Sequence, residues 1–101
     1  MELTIQKSDK GVCAVRVTGP LNIYEAASFK RGLVGIIRDA VSFASVEMDL
    51  SEVSELDTTG VQLLVLARRE VLSMGKGLRV TAASAAVAAA FEIYNLKGLF
   101  E

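Results

Sequence analysis

Asp57, Thr58 and Thr59 stand in consecutive positions ahead of Gly60, and they are the residues of this chain best placed to do chemistry. They put one carboxylate and two hydroxyls between an alternating apolar run and a long helical pattern, where a helix should begin. At a helix N-terminus the backbone N–H groups point outward, and the local field favours added negative charge. A hydroxyl there is suited to carry a phosphate, which adds about −1.5 to −2 charges and strong acceptor oxygens. The competing reading is helix capping, in which Asp and Thr are favoured and contribute about 1 kcal/mol. Two features weigh against capping alone. One cap is enough, yet three candidates stand together. Gly60 also falls in the first turn, where glycine costs up to about 1 kcal/mol relative to alanine. Glycine there suits close approach by another backbone, such as a kinase loop.

Catalytic readings of the same region are weaker. Asp57 as an aspartyl-phosphate nucleophile needs a second acidic residue two positions on, and Thr59 occupies that place. Asp49, at a strand end, would need an acidic pair after the first strand as a phosphoacceptor, and Leu3 to Thr18 holds none. The chain has no histidine, which excludes a Ser-His-Asp triad, a Cys-His pair and a histidine metal site. Neither a Walker-type loop nor GxGxxG is present. No enzyme activity, cofactor or metal is expected.

The elements that must position this segment follow from the apolar pattern. Leu3 and Ile5 alternate with polar residues, Ser8-Asp9-Lys10-Gly11 reads as a turn, and Cys13, Val15 and Val17 share one face of a second strand. Gly19-Pro20 breaks that strand. Asn22 and Glu25 fit a capping box for a first helix, in which Ala26, Phe29, Leu33, Ile36, Ile37 and Ala40 recur at helical spacing. Val46, Met48 and Leu50 form a third strand. Asp57 opens a second helix that runs to Met74 and stops at Gly75. Leu64, Ala67 and Val71 are its apolar face, with Gln62 and Arg69 opposite. Leu78 to Thr81 is a fourth strand, and Ser84 caps a third helix with Val87, Phe91 and Tyr94 on one face. Phe91 and Tyr94 read as core. The order β-β-α-β-α-β-α predicts an α/β fold over one domain, residues 1–101. Its small mixed sheet would start with a hairpin and continue in right-handed βαβ units, with helices mainly on one face. No further strand is expected from the pattern up to Leu99-Phe100-Glu101.

Composition limits the partners. A chain of 101 residues suits one core, and one proline with half the residues apolar marks a folded sequence. The net charge of −1 gives no general attraction to nucleic acid or acidic membranes. Tryptophan is absent, and the aromatics do not interleave with basic residues as a base-stacking platform would. No apolar run approaches the roughly 20 residues of a membrane span, and Met1-Glu2-Leu3-Thr4 does not start a signal peptide. Cys13 is the only cysteine, so a reducing cytoplasm is the expected location. Cys13 itself reads as a small core residue.

The stretch from Met48-Asp49-Leu50-Ser51 through Leu56-Asp57-Thr58-Thr59-Gly60-Val61, with Leu63-Leu64, Gly75 and Leu78 to Thr81, resembles the STAS domain of bacterial anti-sigma-factor antagonists. Gly19-Pro20-Leu21-Asn22, Ser84, Val87, Phe91 and Leu96-Lys97-Gly98-Leu99-Phe100 extend the resemblance over nearly the whole chain. It implies a module that binds a serine/threonine-kinase anti-sigma factor when unphosphorylated. That kinase then phosphorylates the hydroxyl after the motif aspartate, here Thr58, with Thr59 as the near alternative, and a cognate phosphatase reverses the step. Asp57, Gly60 and Asn22 would surround the phosphosite. Asn22 stands where the family usually has aspartate, and threonine where it usually has serine. Gln62 and Arg69 would contact the partner, because residues seven apart share a helix face and that face starts beside the acceptor. STAS domains also serve as accessory subunits of phospholipid-transport ATPases and in chemoreceptor-linked or stressosome assemblies, and these roles are the alternatives.

Overall fold

The first two strands, β1 (Glu2–Lys7) and β2 (Val12–Leu21), pair antiparallel with Leu3 opposite Val17 and Lys7 opposite Cys13, the hairpin expected from the sequence. The computed structural model describes residues 1–8, 10–38 and 43–99. Asp9 of the expected turn, Ala40 of the first helix, and Phe100 and Glu101 lie outside them, and so does the Ile37 side chain. The Ser8 hydroxyl accepts from the Lys10 and Val12 N–H groups, and Gly11 takes a positive φ of 78° that closes the turn. The chain continues through α1 (Ala26–Arg38), β3 (Ser45–Leu56), α2 (Thr58–Ser73), β4 (Gly77–Ala83), α3 (Ala85–Ile93) and a 3₁₀ turn at Lys97–Leu99. The sheet order is β1-β2-β3-β4, and both later pairings are parallel, as βαβ units require.

One apolar cluster joins Cys13, Val15 and Val17 of β2, Val46, Met48 and Leu50 of β3, and Leu78 of β4 to the helices. Phe29, Leu33 and Ile36 come from α1, Leu64, Ala67 and Val71 from α2, and Val87, Ala90 and Phe91 from α3. The alternate residues Thr4, Gln6, Ala14, Arg16, Glu47, Asp49 and Thr81 line an open polar depression on the sheet. The helices therefore cover mainly one face.

Two strands run further than the apolar alternation predicts. β2 does not break at Gly19-Pro20, and β3 reaches Leu56. Arg16 pairs with Asp49 and Thr18 with Glu52, so β3 carries one extra residue there, and a second lies between Val53 and Glu55. Each bulge shifts the side-chain parity by one. Buried Val53 consequently follows buried Leu50 by three positions. Gly19 takes φ 93° at the second irregularity, and Pro20 lies past the end of the β1 pairing at Thr18.

The first bulge is held by Asp49, whose Oδ1 accepts from the Ser51 hydroxyl at 2.6 Å and the Ser51 N–H at 2.9 Å. Those two hydrogen bonds, with the Arg16 guanidinium, outweigh slight desolvation and keep the Asp49 carboxyl below its ordinary range. Asp49 thus acts as a backbone anchor.

Candidate functional site at the start of α2

Asp57 is the N-cap of α2, with extended backbone at φ −96° and ψ −178°. Its Oδ1 accepts from Gly60 N–H at 2.8 Å, and its Oδ2 accepts from Ile23 N–H at 3.0 Å. Its own N–H donates to the Leu21 carbonyl at 3.4 Å. The carboxylate therefore caps a helix and ties it to the loop after β2. Both oxygens are occupied within the domain, so Asp57 is committed to structure.

Thr58 begins α2 and is exposed, whereas Thr59 beside it is partly buried. Thr58 Oγ1 lies 2.9 Å from the phenol oxygen of Tyr94. The sequence pattern placed Tyr94 in the core with Phe91, and this is corrected. Phe91 is buried, but Tyr94 is the C-cap of α3 and is 45% exposed. The helix ends there because Asn95 adopts a left-handed φ of 55° and the Leu96 N–H closes onto the Phe91 carbonyl at 2.8 Å. A tyrosine at a helix stop, with a hydroxyl in need of a partner, was the signal available.

Asn22 makes its half of the expected capping box, and Glu25 does not reciprocate. Its Oδ1 accepts from the N–H groups of Tyr24 at 3.0 Å and Glu25 at 3.2 Å, holding a turn one step before α1. Glu25 starts the helix through its carbonyl, and its carboxylate lies 3.5 Å from the Met1 amino group instead of reaching back to Asn22. Asn22 sits between Leu21 and Ile23, both bonded to Asp57, so its loop runs along the start of α2. Ile23 and Tyr24 on this loop are largely exposed.

Gly60 is buried, and the backbone that approaches it is the chain's own. A Cβ there would fall well inside contact distance of the Leu21 carbonyl oxygen and 2.6 Å from Leu56 Cδ1. The glycine therefore allows α2 to seat against the end of β2, which accounts for its place in a first helical turn without a kinase loop. Gln62 and Arg69 are exposed and share a shallow groove with Val61, Val65 and Leu66. The groove extends from the turn that carries Thr58. Among the described residues no group of three or more His, Cys, Asp or Glu could hold a metal ion. No described helix is long and apolar enough to cross a membrane.

A family model described as "Mlab, STAS domain" matches residues 5–101. The chain belongs to the STAS domain family. Solved structures share the fold at low identity. An anti-sigma factor antagonist from Mycobacterium paratuberculosis is 23% identical with a TM-score of 0.84, covering 98% of this chain and 81% of that one. A putative anti-sigma factor antagonist from Thermotoga maritima is 18% identical with a TM-score of 0.84, covering 98% and 83%. The Bacillus cell fate determinant SpoIIAA in its phosphorylated form is 15% identical with a TM-score of 0.73, covering 98% and 87%. No curated protein matches the sequence at significant similarity. In this STAS domain the Asp57 cap and the exposed Thr58 hydroxyl that follows it both fall within the matched range.

Proposed function

We propose that this STAS domain is a cytoplasmic, non-catalytic antagonist of an anti-sigma-factor kinase, released from it when Thr58 is phosphorylated. The observation that carries the reading is the exposed Thr58 hydroxyl on the first residue of α2, directly after the Asp57 cap and at the head of the Gln62–Arg69 face. A partner seated on that face covers Thr58. A phosphate there would be taken out of water without a counter-charge, because Asp57 beside it is itself acidic and already bonded. Such a cost removes the partner with no refolding of the domain. A cognate phosphatase would restore binding.

The test is incubation with ATP and the serine/threonine kinase encoded nearest this gene, followed by mass spectrometry. One phosphate on Thr58, with loss of kinase binding, is the expected result. Phosphate only on Thr59, Ser51 or Ser54 refutes the assignment of the acceptor.

The partner face gives a second expected outcome. Arg69→Glu weakens binding by roughly tenfold, since reversing one interface charge is worth on the order of 1–2 kcal/mol. Thermal stability changes by no more than about 0.5 kcal/mol, as is usual for an exposed side chain. Calorimetric titration of the kinase and thermal melts of the variant read the two effects separately. Equal losses of binding and stability would place Arg69 in a structural role.

A second reading assigns the same face to a phospholipid-transport ATPase, with the domain as a standing accessory subunit. Two observations favour it. The Thr58 hydroxyl already has a partner inside the domain, and the matching family model is described as Mlab and not as an anti-sigma factor antagonist. An unmodified Thr58 in protein isolated from cells, together with co-purification of transporter subunits, selects that reading.

A further inference from the structure

The Thr58–Tyr94 hydroxyl pair joins residues 36 apart in sequence, and it links the first turn of α2 to the last turn of α3. We propose that Tyr94 is the second residue of the switch, a positioning residue that holds the Thr58 hydroxyl in the free form and donates its phenol O–H to the phosphoryl group in the modified form. This rests on Thr58 being the phosphoacceptor.

The mounting of Tyr94 is firm. Its N–H donates to the Ala90 carbonyl at 3.0 Å, and the next residues are locked by left-handed Asn95 and by the Leu96-to-Phe91 bond. Phe91 and Leu96 are buried on either side of it in sequence. The ring itself is not needed to fill the core, which Phe91 and Val87 already do. What the phenol reaches is Thr58 Oγ1.

Phosphorylation changes what that oxygen can do. The Oγ1–P bond forms as the bond between the γ-phosphorus of ATP and the departing ADP oxygen breaks, and the Thr58 proton passes to a base of the kinase. Oγ1 is then a bridging ester oxygen with no proton and little acceptor strength. In the unmodified pair either hydroxyl can be the donor, and once Oγ1 has lost its proton the donor must be the Tyr94 O–H, now to a non-bridging phosphoryl oxygen. A bond to an ionised acceptor is roughly twice as strong as one between neutral groups. The Asp57 carboxylate cannot take this part, because it is an acceptor whose two oxygens are held by Gly60 and Ile23. The link from α2 to α3 therefore survives modification with a new geometry, and the turn at Tyr94 and Asn95 must adjust to it.

The experiment installs phosphothreonine at position 58 by semisynthesis, so that no kinase is needed, in the parent chain and in Tyr94→Phe. Phosphorus NMR follows the phosphate through its second ionisation. A donor aimed at the dianion lowers that pKa, and the parent is expected to titrate roughly 0.5–1 pH unit below Tyr94→Phe. Phosphorylation should also shift the Asn95 and Leu96 amide resonances in the parent and leave them in place in Tyr94→Phe. Coincident titration curves in two folded chains overturn the proposal. If circular dichroism shows Tyr94→Phe unfolded, fluorotyrosine at position 94 replaces it. Its stronger donor must then lower the phosphate pKa further, and no movement overturns the proposal. Binding of the kinase to the phosphothreonine chain is read separately. Undiminished binding with the pKa shift present removes the switch reading and leaves the role of Tyr94 intact.

Discussion

Thr58→Ala is expected to hold its kinase partner whether or not ATP is present, while the wild-type domain lets go as phosphate accumulates. The difference should be on the order of 100-fold in Kd. It follows from several kcal/mol for desolvating a phosphate that has no counter-charge, at about 1.4 kcal/mol per tenfold. The alanine variant should fold normally. Asp57, not Thr58, supplies the side-chain cap of α2, so Thr58 gives up only its exposed bond to Tyr94. That is worth no more than about 1 kcal/mol. Thr58→Glu should bind more weakly than Thr58→Ala, yet less weakly than phosphorylated wild type, because a carboxylate carries less charge than a phosphate. Affinity measurements on the three forms, with circular dichroism to confirm folding, decide the matter. Equal affinity across all three would mean that Thr58 is not a switch, and the accessory-subunit reading would move ahead.

The parts of the fold set by local rules were legible in the sequence. Asp57 caps α2, Gly75 ends it at φ 74°, and Ser84 caps α3 by accepting from Val87 N–H. Each of these depends on a side chain bonding to its own neighbourhood, so residue type and spacing carry the information. The apolar face of α2 was legible for the same reason. What stayed hidden depended on contacts distant in sequence. The second half of β3 is buried through Val53 only because two bulges change which face its side chains meet, and alternation cannot register a parity shift. Gly19-Pro20 has the chemistry of a break, yet pairing with β3 carries the strand through to Leu21. Glu25 has the right spacing for a capping box, but the Met1 amino group competes for its carboxylate.

The candidate site divides in the same way. Asp57, Thr58 and Gly60 announced themselves by type and order. Tyr94 did not, because helical spacing from Phe91 favours the core, and the stop at Asn95, although a local signal, does not show that the phenol reaches α2. Asn22 was visible as a cap that accepts from the Glu25 N–H, and the structure adds the Tyr24 N–H and sets both in the turn just before α1.

Gly60→Ala should be the most damaging single methyl that can be added near this site. The added carbon meets the Leu21 carbonyl, which is backbone, and the Leu56 side chain on the other side. The carbonyl cannot retreat freely, because Leu21 is fully buried and its oxygen also receives the Asp57 N–H. Relief must come from lifting the first turn of α2 away from β2, which stretches the Asp57 bond to Ile23 and strains the cap. Overpacking of this kind costs about 2–3 kcal/mol. For a domain of this size the melting temperature should fall by roughly 10–20 °C. Gly35→Ala in α1 is the matched control. Nothing lies within 4 Å of its added carbon, so the better helix propensity of alanine should stabilise the chain by about 0.5–1 kcal/mol. Thermal melts of the two variants read opposite signs from the same chemical change. If Gly60→Ala melts with wild type, α2 does not seat on the Leu21 carbonyl as described. The glycine would then be left for a partner's backbone to approach, and the case for a kinase loop over Thr58 would gain what the packing had taken from it.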